Sequence, residues 1–239
     1  MIQTQNFSYH DGSTTLSGWL ATDDAFSGKK PIVLVTHDWS GRNEFACQKA
    51  EKLAALGYAG FALDMYGDAR TAATDDEKMA LMKPFTTNRQ LLLRRIRAAV
   101  DAVKKIEQVD SDNIAAIGFC FGGLCVLDLA RNSQDIRGVV SLHGLLMPPN
   151  DRLPAKIAPK ILVLHGHDDP SVPPDQVLAF EEEMTHAKAD WQLVIYGGTM
   201  HAFTNPLASQ PALGRLYNPT ADHRAWVATT QFLHEIFKR

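Results

Sequence analysis

The sequence is poor in cysteine, carries little excess charge and has no long apolar run. Its three cysteines are irregularly spaced among 239 residues and match neither a disulfide framework nor a zinc site. Its net charge of −3 argues against nucleic acid as the main partner, because phosphate binding needs a basic surface. The longest apolar runs, such as residues 32–35 and 139–142, are far too short to span a bilayer. We therefore expect neither nucleic acid nor a membrane as partner.

The first residues, MIQTQNFSYHDGS, also lack the basic start and the apolar centre of a secretory signal. The sparing use of cysteine fits a reducing compartment. We therefore expect a cytoplasmic protein that works as a monomer or a homodimer on a small molecule.

The composition is that of a globular protein, with 45% apolar and 21% charged residues. Strands are predicted at residues 15–21, 31–36, 58–63, 114–118, 138–142, 160–164 and 191–196, and helices at 43–56, 88–106, 122–130, 173–188 and 222–237. Parallel strands need such helical crossovers, so the pattern predicts a mostly parallel, doubly wound α/β sheet with helices on both faces. We expect one domain over residues 1–239, without a large lid, because the loops at 143–159 and 202–220 are modest.

The stretch AAIGFCFGGLCVL has the spacing of a hydrolase nucleophile turn, with Cys120 at the position of the nucleophile. It follows a buried strand and opens a helix, as this tight turn requires, and its glycines let neighbouring backbone pass close by. The helix N-terminus would favour the thiolate. The alternative is a buried apolar Cys120. We expect Cys47 and Cys125, which lie inside predicted helices, to be packing residues.

A thiol nucleophile needs a base and a carboxylate that orients the base. In α/β-hydrolases the chain order is nucleophile, acid, histidine. Here HGHDDPSVP follows one predicted strand and GGTMHAF follows the last one. The order Cys120, Asp169, His201 is therefore right, and all three would emerge at one edge of the sheet. The spacing D-x-x-V-P favours Asp169, with Asp168 as the alternative.

The remaining requirement is an oxyanion hole. One donor is expected to be the backbone N–H of Phe121, the residue after the nucleophile, and the other that of Trp39, in the loop HDWSG after an early strand. The cluster HGHDD could instead suggest a metal site, but a metal needs ligands that converge from defined spacings. We predict no metal.

Together these motifs resemble the dienelactone hydrolase family, from about Thr15 to the C-terminus. The resemblance rests on HDWSGRN (37–43), LDMYG (63–67), GFCFGG (118–123), HGHDDPSVP (165–173) and GGTMHAF (197–203). It implies the α/β-hydrolase fold and a Cys-His-Asp triad that hydrolyses esters or lactones without metal or cofactor. It also implies that Asp38, where better-known members have glutamate, contacts the resting cysteine. The alternative for Asp38 is a role in shaping its own loop.

The resemblance is incomplete where the family holds a substrate carboxylate. Members that cleave dienelactone use two arginines, and the matching positions here carry Asn205 and, if no gap intervenes, Lys83. We therefore expect a neutral or weakly polar ester, in a pocket that includes Trp39, Phe85 and Phe203, unless these aromatics belong to the core.

Three other interpretations of the function stay open. The same nucleophile could attack a phosphate triester, whose P=O would occupy the oxyanion hole. Two rivals come from other classes of protein: a non-catalytic binding module on a hydrolase scaffold, and a redox-sensing thiol protein. An intact triad argues against the first, and the lack of an evident resolving cysteine argues against the second.

Overall fold

The computed structural model describes residues 1–149 and 155–238. Contacts between residues group the chain into two compact units, residues 1–117 and residues 118–239. The division falls inside strand β5 (Val109–Phe119), just before the predicted nucleophile turn. The expectation of one domain stays a prediction.

The first unit contains strands β1–β4, helices α1–α3 and most of β5. The bounds are β1 (Ile2–Asp11), β2 (Thr14–Asp23), β3 (Lys30–Thr36), α1 (Glu44–Ala54), β4 (Ala59–Leu63), α2 (Asp75–Thr87) and α3 (Arg89–Val103). The strands follow the order β1-β2-β4-β3. β1 and β4 are antiparallel to β2, whereas β3 and β4 are parallel, with Ile32 opposite Ala59.

The core of this unit forms where the sequence is most apolar. Strand β4 is buried along its whole length, and Ile32 to Val35 of β3 are fully buried. Helix α1 packs against β4 with the buried side chains of Ala50 and Leu53, which lie on one face of the helix. Full burial of a leucine contributes about 1.5–3 kcal/mol.

Two elements of this unit are absent from the pattern that the sequence predicts. Strand β1 is mostly exposed and polar, so it lacks an apolar alternation, and it forms because it pairs with β2 over its whole length. Helix α2 contains Pro84 and buries only Phe85 among its residues. Its start is nevertheless marked by a capping box, in which Thr74 and Glu77 satisfy each other's backbone N–H groups.

The second unit continues the alternation of strands and helices. Its elements are α4 (Phe121–Asn132), β6 (Gly138–Leu142), β7 (Lys160–Gly166), α5 (Pro174–His186), β8 (Trp191–Tyr196), β9 (Ser209–Gln210), a 3-10 helix (Pro211–Leu213), β10 (Arg215–Leu216) and α6 (Pro219–Phe237). Strands β6, β7 and β8 are adjacent and parallel. Within residues 1–149 and 155–238, no helix combines the length and apolar character needed to cross a lipid bilayer.

The two predicted loops of this unit differ in outcome. Part of the loop at 143–159 lies outside the described residues, and its described parts contain neither helix nor strand. The loop at 202–220 instead contains a hairpin, formed by β9, the 3-10 helix and β10, together with the start of α6. The strands of this hairpin are two residues long, too short to leave a periodic pattern in the sequence.

A buried ion network joins α4 to α5. Both guanidinium nitrogens Nε and Nη2 of Arg131 lie 2.7 Å from the carboxylate of Glu183, and Nη1 lies 3.1 Å from Asp128. Nη2 also donates to the carbonyl of Leu146, at 3.0 Å. All three charged side chains are almost completely buried. The network therefore fixes the chain after β6 against both helices.

We expect Glu183→Gln to lower the free energy of unfolding by about 3–5 kcal/mol, because it leaves much of the buried Arg131 charge uncompensated. The matched control is Glu235→Gln, which removes an exposed ion pair with Lys160 and should cost less than about 1 kcal/mol. Urea unfolding of both variants measures the difference. Equal losses in the two variants would contradict this account of the network.

Candidate active site

Cys120 lies in the turn between β5 and α4, as the sequence predicts. Its φ of 54° and ψ of −113° fall in a region that residues with side chains rarely adopt. The N–H of Cys120 donates to the carbonyl of Leu142 at 3.0 Å, and its own carbonyl accepts from the N–H of Gly123 at 2.9 Å. The side chain is partly exposed. The strained turn therefore presents the thiol at the surface of the unit.

The glycines of the turn allow strand and helix to meet backbone to backbone. A Cβ at Gly118 would lie 2.0 Å from the carbonyl oxygen of Gly122. A Cβ at Gly123 would lie 2.6 Å from the Cα of Gly144. Neither distance is compatible with a side chain. The close backbone approach that the motif predicts is therefore present at Gly118, where the strand meets the helix. A second close approach, between Gly123 and Gly144, lies just after the motif.

Phe121, the predicted oxyanion donor, is the first residue of α4. Its side chain is fully buried, so the chain is anchored immediately after Cys120. An α-helix directs the backbone N–H groups of its first turn toward its N-terminus, which here is at Cys120. This orientation suits donation to a negative charge that develops beside the sulfur.

Asp169 and His201 are in direct contact. The Nδ1 atom of His201 lies 2.7 Å from Oδ2 of Asp169. The other carboxylate oxygen of Asp169 accepts the N–H of Ser171 at 2.8 Å. Asp169 and His201 are 2% and 6% exposed, so little water competes for this hydrogen bond. The loop after β7 and the loop after β8 thus bring the predicted acid to the predicted base.

Asp168, the alternative acid, is placed differently. Its side chain is exposed, and its backbone N–H donates to the carbonyl of Thr199 at 2.9 Å. Of the two neighbouring aspartates, only Asp169 contacts His201 among the described hydrogen bonds. The geometry therefore favours Asp169 as the partner of His201.

His201 holds a proton more strongly than a free histidine does. Burial lowers its pKa, but the negative charge of Cys120, the hydrogen bonds with Asp169 and Cys120, and the charge of Asp169 outweigh burial and raise the pKa to about 10. Because this value lies above the ordinary 6.5, the imidazolium persists at neutral pH and loses its proton only as the pH rises through the raised pKa. Asp169 is thus the acidic group that His201 contacts directly, at 2.7 Å.

The backbone of His201 is held by the hairpin that the sequence pattern does not predict. The N–H of His201 donates to the carbonyl of Gly214 at 2.9 Å, and its carbonyl accepts from the N–H of Leu216 at 3.1 Å. Gly214 has a φ of 69°, and a Cβ there would lie 2.3 Å from Cγ of Pro170, next to Asp169. The hairpin therefore contacts both loops that carry the Asp169–His201 pair.

Two predicted substrate contacts lie just after His201. Phe203 is fully buried, and its ring packs against the rings of His143 and Tyr196, with centroids 5.1 and 5.5 Å away. Asn205 is half-buried, and its side chain accepts the N–H of Leu207 at 2.9 Å. Both side chains thus have structural partners, and their contact with substrate stays a prediction.

The other predicted contacts belong to the first unit. Asp38 is buried and accepts the N–H of Ser40 at 2.8 Å, which is the loop-shaping role named as its alternative. The carbonyl of Trp39 accepts from the hydroxyl of Tyr66 at 3.0 Å. Phe85 is buried with its ring centroid 5.7 Å from that of Tyr66. The roles of Asp38, Trp39 and Phe85 toward substrate or nucleophile stay predictions.

The site also contains two histidines to which the sequence assigns no role. His165 is buried at the end of β7, and burial lowers its pKa. His143 follows β6, and its ring lies 5.3 Å from that of His201. In the sequence, the signal that could have identified His143 is its position directly after a predicted strand. Over the described residues, no group of three or more histidine, cysteine, aspartate or glutamate side chains is arranged to hold a metal ion.

A cysteine at a strained strand-to-helix turn, followed in the chain by an aspartate and a histidine after later parallel strands, matches the order of nucleophile, acid and histidine in the α/β-hydrolases. The family model for the dienelactone hydrolases matches residues 16–237. The chain belongs to the dienelactone hydrolase family. The predictions of the family, of the α/β-hydrolase fold and of a hydrolase that acts on ester bonds are confirmed at this level.

Individual relatives agree with this assignment. The solved structure named m3DLH is 34% identical, with a TM-score of 0.94 and coverage of 98% of both chains. A dienelactone hydrolase-like promiscuous phosphotriesterase from metagenomic libraries is 35% identical, with the same TM-score of 0.94 and coverage of 98% of both chains. An uncharacterized protein of Caenorhabditis elegans is 41% identical over 147 residues, which cover 60% of this chain and 92% of that protein.

We expect the pKa of His201 to fall by roughly one to three units in Cys120→Ala, because the variant removes a negative charge and a hydrogen bond that raise it. NMR titration of the histidine ring nitrogens measures this change. Cys125→Ala, at a fully buried position of α4, is the control and should leave the pKa in place. An unchanged pKa in Cys120→Ala would contradict the influence of Cys120 on the pKa of His201.

We expect Gly214→Ala to lower the free energy of unfolding by roughly 1–3 kcal/mol and to loosen His201, because alanine is strained at positive φ and its Cβ would meet Pro170. Amide hydrogen exchange at His201 and Leu216, together with thermal unfolding, measures both effects. Gly197→Ala is the control, since a Cβ there meets nothing within 4 Å. Unchanged exchange at His201 in Gly214→Ala would show that the hairpin does not hold it.

Proposed function

We propose that the protein hydrolyses carboxylic esters or lactones through a Cys120-His201-Asp169 triad and a thioester intermediate. The observation that carries the proposal is the buried 2.7 Å contact between His201 and Asp169, in the same unit as the strained turn of Cys120. Each member then has the partner that its role needs. The carboxylate orients the imidazole, and the imidazole exchanges a proton with the sulfur.

The acylation step begins when His201, oriented by Asp169, takes the proton of Cys120, which leaves a thiolate beside an imidazolium. The sulfur attacks the carbonyl carbon and forms the C–S bond, while the carbonyl oxygen takes the negative charge. The N–H groups of Phe121 and Trp39 are the proposed donors to this oxygen. The C–O bond then breaks, and the leaving oxygen takes the proton of His201. The raised pKa of His201 supports the first proton transfer, because a more basic imidazole takes the proton of Cys120 more readily.

Deacylation reverses the proton flow. Neutral His201 takes a proton from water, and the hydroxide attacks the thioester carbon. The C–S bond breaks, the sulfur leaves as thiolate, and the carboxylic acid departs. Asp169 stabilises the imidazolium in both steps and holds its Nδ1 proton, so that the other ring nitrogen stays directed at the reaction. Every step uses only side chains, the backbone N–H groups of the oxyanion hole, water and substrate.

The substrate we propose is a small neutral or weakly polar ester. Asn205 occupies the place of a carboxylate-binding arginine, and its amide instead organises its own turn. Without that cation, a free carboxylate on the substrate loses a strong partner. The aromatic side chains of Trp39, Phe85 and Phe203 remain the proposed apolar lining.

We also propose that the protein acts in the cytoplasm, as monomer or homodimer, since a catalytic thiol works best where thiols stay reduced.

Phosphate triesters are a second candidate class of substrate. The supporting observation is the similarity to the promiscuous phosphotriesterase, which is 35% identical over nearly the whole of both chains. In this reaction the sulfur of Cys120 would attack phosphorus, the P=O oxygen would accept the oxyanion donors, and an aryloxide would leave. The phosphorylated thiol would then need hydrolysis by water.

We expect wild type to hydrolyse p-nitrophenyl esters of graded chain length, and Cys120→Ala to lose at least about a thousandfold in kcat, because the covalent route is closed. An aryl dialkyl phosphate, assayed alongside, tells which electrophile the site favours. Cys125→Ala is the matched control and should keep its activity, since Cys125 is fully buried in α4.

Two outcomes would overturn the proposal. Full activity in Cys120→Ala would remove the nucleophile from the mechanism. No turnover of any ester or phosphate triester by folded wild type would favour the binding module, and reversible oxidation of Cys120 at low peroxide would favour the redox sensor.

A further inference from the structure

His143 is buried beside the proposed acid–base histidine but takes no part in the proposed reaction. It is 2% exposed, and its ring stands edge-on to that of His201, with centroids 5.3 Å apart and planes at 69°. Its Nε2 atom lies 2.8 Å from the hydroxyl oxygen of Thr204. A buried polar ring at this place needs a reason, because an apolar side chain would pack there without any hydrogen bond to satisfy.

The backbone of His143 is strained in the same way as that of the nucleophile. His143 has a φ of 40°, Cys120 a φ of 54° and Ala202, which follows His201, a φ of 57°. Such conformations persist only where the surroundings enforce them, and they cluster at functional sites. The strain at His143 is enforced by a hydrogen bond from its N–H to the carbonyl of Leu164, at 2.9 Å.

His143 also connects the nucleophile turn to the histidine loop. The residue before it, Leu142, accepts the N–H of Cys120 through its carbonyl. The side chain of His143 reaches Thr204, three residues after His201. Two neighbouring residues, Leu142 and His143, therefore link the segment of Cys120 to the loop that carries His201.

The ring of His201 needs such a contact. Its hydrogen bond to Asp169 fixes Nδ1, but the ring can still rotate about that contact unless neighbouring side chains limit the rotation. The edge-on ring of His143 limits this rotation, and Phe203 supports His143 from another side at 5.1 Å. A small displacement of a proton-transferring group is costly, since 1 Å can lower the rate about a hundredfold.

We propose that His143, anchored by the hydroxyl of Thr204, is a positioning residue that holds the imidazole of His201 in the orientation needed for proton exchange with Cys120. The proposal rests on the function proposed above. His143 touches neither the sulfur nor the substrate in this scheme, and it acts only through His201. Its loss should therefore lower kcat and leave KM nearly unchanged.

The test compares His143→Ala, His143→Phe and Thr204→Val with wild type, using p-nitrophenyl ester hydrolysis. We expect kcat to fall about ten- to a hundredfold in His143→Ala, as when a residue that supports an active-site group is lost. His143→Phe keeps a ring against His201 and should recover most of this loss. Thr204→Val frees the ring of His143 and should lower kcat several-fold. Thr204→Val added to His143→Phe should cost nothing further.

The controls are His186→Ala, at an exposed position on α5, and Thr230→Val, at a half-buried position on α6, which should keep wild-type kcat and KM. A second readout does not depend on ester hydrolysis: NMR titration of His201 in each folded variant. We expect the pKa and line shape of His201 to change in His143→Ala and to return toward wild type in His143→Phe. A role of His143 in stability alone would change thermal unfolding but not these signals.

The outcomes are distinguishable. If wild type hydrolyses no ester, the proposed function fails, and the NMR signals of His201 still decide whether His143 positions it. If His143→Ala folds and keeps wild-type kcat and His201 signals, the positioning role is wrong. If His143→Ala does not fold, Thr204→Val decides, and unchanged kcat and His201 signals in that variant overturn the proposal.

Discussion

Cys120 has a backbone conformation that costs free energy, and the surrounding chain maintains it. Residues with side chains at such dihedral angles cost about 1–3 kcal/mol each. The turn recovers this through hydrogen bonds to Leu142 and Gly123 and through a backbone approach that only glycine at 118 permits. Because the neighbouring strand β6 supplies one of these bonds, the turn is rigid only when the sheet beside it is formed. Stability and reactivity are therefore coupled at this residue.

Charge is the second constraint on the site. His201 is buried, and a buried imidazolium is unfavourable unless anions compensate it. Asp169 contacts it at 2.7 Å, and the charge of Cys120 raises its pKa further. The loops that hold these groups are in turn fixed by uncharged contacts, namely the hairpin at Gly214 and the close approach to Pro170. The chemistry is thus carried by few groups, whereas their placement depends on many backbone bonds.

The sequence predicts the elements whose pattern is local, and the structure agrees with them. The strands β3 and β4 are continuous apolar runs, and the Gly118-x-Cys120-x-Gly motif predicts its own turn because sterics dictate which residues fit it. The choice of Asp169 over Asp168 also follows from local spacing. Strand β1 and the hairpin after His201 are not predictable in this way, since β1 is mostly polar and exposed and the strands of the hairpin are only two residues long. The sequence does not predict a role for His143, because a histidine after a strand is common in α/β sheets.

The covalent intermediate is the most direct consequence of placing Cys120 as nucleophile. The decisive measurement is mass spectrometry of the protein quenched in acid during turnover of an activated ester, followed by peptide mapping. The account predicts one added acyl group, located on Cys120 and lost as the substrate is consumed. Turnover without any acylated protein, or with the acyl group on another residue, would contradict it.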